Sequence, residues 1–223
     1  MSDDTVNEIE NEEAVNEIEM TEIPESDETI QPTASKSFIA MWDDVLPPDF
    51  CDEAIQLFEE NQVFHVDRNE EFRGGHKQFK ELNLYSNDLV EENPRWGQMS
   101  MYILQQIQKY TEMYRRTYNI DFFPEECVNE EIRMKKYDPE NKDEFMYHAD
   151  VGDHASAKRF LVCMFYLNDV EEGGRTTFPD YGIGIEAVKG RLLIFPPFWT
   201  HPHQGEMPVS NAKYIIGSYL QYR

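Results

Sequence analysis

Residues 131–167 read EIRMKKYDPENKDEFMYHADVGDHASAKRFLVCMFYL, and they decide the fold. Three runs rich in apolar, aromatic and β-branched residues, Glu131–Tyr137, Phe145–Asp150 and Arg159–Leu167, alternate with turn-forming Asp, Pro, Asn and Gly, the pattern of consecutive short strands. The pattern continues in Thr176–Pro179, Ile185–Val188, Arg191–Phe195, His201–Gly205 and Lys213–Tyr222, with turns at Asn168–Gly174, Asp180–Gly184 and Lys189–Gly190. Eight strands spaced this closely predict a sandwich or barrel, and a jelly roll, or double-stranded β-helix, accommodates that count while leaving a mouth where side chains converge.

Upstream the pattern changes. Met99, Tyr102, Ile103, Ile107, Tyr110 and Tyr114 recur at helical spacing and predict a long helix from about Pro94 to Tyr118. Pro47, Pro48 and Asp49 open a second helix carrying Ala54, Ile55, Leu57 and Phe58. Residues 63–85 look like short strands and a loop; with Arg68, Arg73, His76, Lys77 and Lys80 they are the most basic part of the chain. The fold class is therefore mainly β with supporting helices: 38–125 largely helical support, 126–223 the jelly-roll core. Residues 1–37, with 12 acidic side chains, one lysine and no aromatic residue, cannot bury enough apolar surface to order themselves and are expected to be a disordered acidic tail.

A formal charge of −24 makes nucleic acid a disfavoured partner. No apolar run approaches the roughly 20 residues needed to span a bilayer, and the N-terminus lacks a signal-peptide pattern. A soluble, cytoplasmic protein is expected. Cys51, Cys127 and Cys163 lack the paired spacing of a zinc site and read as free thiols.

His148 and Asp150 stand two apart in a strand pattern, so both side chains project from one face and can share an ion. One imidazole and one carboxylate, completed by a second imidazole, make the facial triad of non-haem iron(II) oxygenases. His201 and His203 are both candidates for that second imidazole. Lys213, ten residues after His203 at the start of the last strand, suits the distal carboxylate of a dicarboxylate that chelates the metal through its keto-acid end.

These residues resemble the 2-oxoglutarate/iron(II) oxygenases of the prolyl 4-hydroxylase type. The likeness spans roughly residues 38–223: the opening Trp42–Glu60, KYDPENKDEFMYHAD at 136–150, CMFYLN at 163–168, GGRTTFP at 173–179, KGRLLIFPPFW at 189–199 and HQGEMPVSNAK at 203–213. The resemblance implies Fe(II) bound by His148, Asp150 and His203, and 2-oxoglutarate held by Lys213 with Tyr137 and Tyr166. It further implies O2 as oxidant, ascorbate as an accessory reductant, and hydroxylation of a C–H bond, as of a peptidyl proline in a peptide or protein, with release of succinate and CO2. The chain departs from the family pattern in carrying Met207 before Pro208, which leaves His201 open as the distal ligand.

Strict alternation places Arg133 and Lys135 on the face of Tyr137, with Ile132 and Met134 opposite, so both cations are expected to line the cleft and favour a substrate with negative charge. Two alternatives stay open: the same chemistry on a small metabolite, free amino acid or nucleobase, and a non-catalytic jelly-roll binding module.

Overall fold

The computed structural model describes residues 36–72 and 75–223. The expected acidic tail lies outside these residues but for Lys36 and Ser37.

Twelve strands form one curled antiparallel sheet: β1 (Ala40–Trp42), β2 (Val66–Phe72), β3 (Gly75–Asn83), β4 (Cys127–Asn129), β5 (Arg133–Tyr137), β6 (Glu144–His148), β7 (Arg159–Tyr166), β8 (Thr176–Phe178), β9 (Ile183–Ile185), β10 (Leu192–Phe195), β11 (His203–Gly205) and β12 (Lys213–Tyr222). Their order is β1-β10-β7-β12-β5-β3-β6-β11-β8-β9, with β2 added to β3 and β4 to β12. The sheet is a jelly roll, mainly β as expected, and its helices α1 (Pro48–Glu60), α2 (Asn87–Glu92) and α3 (Arg95–Tyr118) support it.

The period-two pattern sorts each strand's side chains. Along β5 and just before it, Ile132 and Met134 enter the apolar cluster that also holds Leu57 and Phe58 of α1 and Ile103, Ile107 and Tyr114 of α3. Arg133, Lys135 and Tyr137 face the hollow of the sheet instead. Along β12, Tyr214 and Ile216 meet the helices, whereas Lys213, Ile215 and Tyr219 face inward. The helix-side cluster, at roughly 1.5–3 kcal/mol per large apolar side chain removed from water, supports a sheet whose other face is hollow. A smaller cluster with Phe178, Leu193 and Phe195 closes the inner floor.

Two features differ from the sequence reading. The residues before 126 are more than helical support, because β3 lies between β5 and β6 and forms part of the cleft wall. The strand expected at Ile185–Val188 runs instead over Ile183–Ile185, since a 3-10 turn at Pro179–Tyr181 ends on Gly182 at φ 63° and lets the strand begin at once.

Candidate metal and cosubstrate site

The register of β6 against β11 sets His148 directly opposite His203, and their ring centroids lie 4.4 Å apart. Asp150 is not inside the strand. β6 ends at His148, and the chain bends just beyond it, yet the carboxylate still turns back to the two imidazoles. Its Oδ1 lies 3.5 Å from His148 Nε2 and its Oδ2 3.5 Å from His203 Nε2. One ligand atom from each of the three lies within 4.8 Å of the others.

The tautomers follow from the hydrogen bonds. His148 Nδ1 lies 2.7 Å from the Met146 carbonyl and His203 Nδ1 lies 3.1 Å from the His201 carbonyl. A carbonyl only accepts, so each Nδ1 donates and the Nε2 of each ring is left to face the common point. Packing fixes the ring planes. Phe145 stacks on His148 at 3.5 Å, and Phe195 and Phe178 flank His203 at 4.7 and 5.5 Å.

Charge favours a cation here. Burial pushes the Asp150 carboxyl up, but His203, His148 and the Tyr219 hydroxyl outweigh it and hold the group well below the usual carboxylate range. Burial also pushes the His203 imidazole down to about 4, which keeps it neutral. His148 Nε2 and Asp150 Oδ2 are buried without a hydrogen-bond partner, a costly arrangement that a bound metal ion relieves. This N,N,O donor set fits iron(II).

Lys213 lines the same cleft of about 380 Å³. The residue is 2% exposed; its ammonium makes no ion pair among the described residues and lies 5.5 and 5.4 Å from the ring centroids of Tyr137 and Tyr166. Burial pushes it down to about 7. An unpaired buried ammonium sharing a cleft with three convergent metal donors fits a chelating dicarboxylate.

The remaining sequence candidates separate. Tyr137 lines the cleft; Tyr166 does not, and its hydroxyl donates to Thr176 Oγ1 at 2.8 Å, so it stands behind that threonine and Lys213. His201 turns away: its ring stacks on Tyr181 at 5.2 Å and its Nε2 meets the Ser37 carbonyl at 2.8 Å. Arg133 lines the cleft as expected but is engaged by Glu81 and Glu131 at 2.8 and 2.6 Å.

Three cleft residues escaped the sequence reading. Tyr219 donates to Asp150 Oδ1, Arg159 donates to the Asp150 carbonyl at 3.1 Å, and Thr176 receives Tyr166. Tyr219 was within reach by parity, since it shares the face of Lys213 along β12. Arg159 had no comparable signal.

Residues 132–221 match the model of the 2OG-Fe(II) oxygenase superfamily. No curated protein matches the chain. Among solved structures, the chain is similar to the viral collagen prolyl hydroxylase of Paramecium Bursaria Chlorella virus-1 in its 2OG complex, at 19% identity and TM-score 0.55 over 83% of this chain and 96% of that one. It is similar to a Trichoplax adhaerens prolyl hydroxylase in complex with a hypoxia inducible factor oxygen degradation domain peptide fragment, at 14% identity and TM-score 0.63 over 83% and 84%. A Pseudomonas putida prolyl-4-hydroxylase gives 14% identity and TM-score 0.51 over 84% and 94%. Identities this low speak for the fold alone; the superfamily match, which covers all three convergent donors and Lys213, carries the chemistry. Residues 132–221 therefore carry a 2OG-Fe(II) oxygenase domain, which supports a 2-oxoglutarate-dependent dioxygenase.

Proposed function

We propose that this dioxygenase hydroxylates a peptidyl proline through one oxygenase domain spanning 38–223, with His148, Asp150 and His203 holding iron(II) and Lys213 holding the distal carboxylate of 2-oxoglutarate. The observation that carries the reading is the convergence of three donors, two of their atoms buried without partners, in one cleft with an unpaired ammonium. When bound, iron(II) with 2-oxoglutarate and O2 supplies the oxidising power, and succinate and CO2 leave as coproducts.

The protein's own part is orientation. The carbonyls of Met146 and His201 fix the imidazole tautomers, and Tyr219 and Arg159 fix Asp150. Lys213 sets the direction of the cosubstrate, with the Tyr137 hydroxyl available to it from the same wall, and Tyr166 acts through Thr176. The peptide substrate is supported by the likeness to prolyl hydroxylases, one of them holding a peptide. A free amino acid is the second reading, because Lys135 lines the cleft without an ion pair among the described residues. Three free thiols suit a reducing, cytoplasmic setting, and no helix of the described residues is long and apolar enough to cross a membrane.

The test is release of succinate and CO2 from 2-oxoglutarate with iron(II) and ascorbate, run beside mass spectrometry of proline-containing peptides for a gain of one oxygen. The expected result is oxygen gain in wild type and none in His148→Ala or Asp150→Ala. Turnover that survives both substitutions overturns the site.

A further inference from the structure

The walls of the cleft carry cations that mostly spend themselves on neighbouring carboxylates. Arg68 and Arg133 both reach Oε1 of Glu81 at 2.8 Å, Lys77 reaches Glu70 at 3.0 Å, and Arg159 reaches Glu130 at 2.6 Å. Lys135 does not. It forms no ion pair and no hydrogen bond among the described residues, although the chain has 44 acidic residues against 20 basic ones. Glu81 and Asp150 act on it through space, but neither reaches it directly, and the Oε1 of Glu81 is already shared by two guanidinium groups.

The Lys135 ammonium sits 4.8 Å from the ring centroid of Phe79 and 6.0 Å from that of Phe145, and Phe145 is itself stacked on His148. The register fixes its depth. On β5 and β12, Tyr137 pairs with Lys213, Lys135 with Ile215 and Arg133 with Gly217. Lys135 therefore lies one strand repeat, about 7 Å, nearer the mouth than Lys213. Exposure runs the same way, from the buried Lys213 to the partly exposed Lys135 and Arg133. The dicarboxylate assigned to the deeper lysine leaves this one free.

We propose that Lys135 anchors the molecule being hydroxylated by pairing with a carboxylate on it, so that the enzyme selects an acidic substrate: a peptide with Asp or Glu beside the target residue, or an amino acid presenting its own α-carboxylate. The assignment rests on the oxygenase reading of the cleft and adds the chemical class of its substrate. A structural lysine held by two aromatic rings would gain cation–π attraction, yet that gain is small beside the cost of leaving an ammonium partly desolvated with carboxylates acting on it only through space. Burial indeed presses its pKa below the usual lysine value, the condition that a substrate carboxylate relieves. The Phe79 and Phe145 rings hold the ammonium in place, so little side-chain freedom is lost on pairing.

The experiment is equilibrium binding, under nitrogen, to the full chain loaded with iron(II) and 2-oxoglutarate. The probes are matched proline peptides carrying Asp or Glu against Asn or Gln on either side of the proline, and free L-proline against L-prolinamide. Wild type should bind the acid member of at least one pair about tenfold or more tightly, the factor expected of one charge-assisted contact. The peptide and amino-acid pairs tell the two carboxylate sources apart.

Lys135→Met should remove the preference while keeping the affinity for 2-oxoglutarate, and Lys135→Glu should turn it toward Lys-bearing peptides. Equal binding of acid and amide members, or binding of neither, overturns the assignment, as does a preference that survives Lys135→Met. The wild-type comparison stands even if a variant fails to fold. Failure of the underlying oxygenase reading shows separately, as absent succinate release by wild type.

Discussion

Tyr219 donates its hydroxyl to Oδ1 of Asp150 at 2.7 Å, while Oδ2 of the same carboxylate has no protein partner. One oxygen is thereby committed to holding the group in place, and the other remains for a metal. Tyr219→Phe should keep the fold and the packing of the ring beneath Arg159, and weaken metal binding about 10- to 100-fold, as loss of such a supporting hydrogen bond does elsewhere. Calorimetric titration with cobalt(II) reads this directly; unchanged affinity would remove Tyr219 from the site.

His201 and His203 should part company on substitution. His203→Ala removes a donor directly opposite His148 and should abolish stoichiometric cobalt binding and succinate release. His201→Ala removes contacts to Tyr181 and to the Ser37 carbonyl, so metal binding should persist while the protein loses on the order of 1–3 kcal/mol of stability. Metal titration beside thermal unfolding distinguishes the two.

Lys213 predicts a pH dependence with a definite sign. Burial brings its ammonium to about 7 in the folded protein, against 10.5 for an ordinary lysine. A carboxylate partner favours the charged form and raises that value. Binding of 2-oxoglutarate should therefore take up a proton above pH 7, and affinity should fall as pH rises from there. Calorimetry at pH 8 in buffers of different ionisation enthalpy measures the uptake, which should vanish in Lys213→Arg because arginine keeps its charge. In the ligand-free protein the unfolded chain holds this proton between about 7 and 10.5 and the folded chain does not, so the Lys213 contribution to stability rises with pH over that window.

Gly173 is required by its surroundings. It adopts φ +74°, and a Cβ there would stand 2.4 Å from the Met207 carbonyl oxygen, which accepts from Gly174 N at 3.0 Å. The missing side chain leaves room for the backbone of Met207. Gly173→Ala should cost about 2–3 kcal/mol from left-handed strain and the displaced carbonyl together, lowering the melting temperature by about 5–10 °C in a thermal unfolding scan.

Much of this architecture was legible because alternation is a local signal. The parity of Ile132, Met134 and Tyr137 named the two faces of β5 correctly, and the ten-residue step from His203 to Lys213 begins on one cleft wall and ends on another. Pairing over long distances is not local. Nothing in Gly75–Asn83 marks it as the strand lying between β5 and β6, and nothing in Arg133 shows that Glu81, on that same strand, neutralises it. The choice between His201 and His203 also needed three dimensions, since it turns on Ser37, far away in sequence, offering a carbonyl to one of them.

The placement of β3 also governs how the chain is made. Its partners Arg133–Tyr137 and Glu144–His148 are synthesised some fifty or more residues later, and β1 waits longer still for Leu192–Ile194. Such distant pairings carry a high loop-closure cost and slow folding. Only the hairpin of β2 and β3 can pair early, and the pocket between β6 and β11 closes only once β11 and β12 have been made.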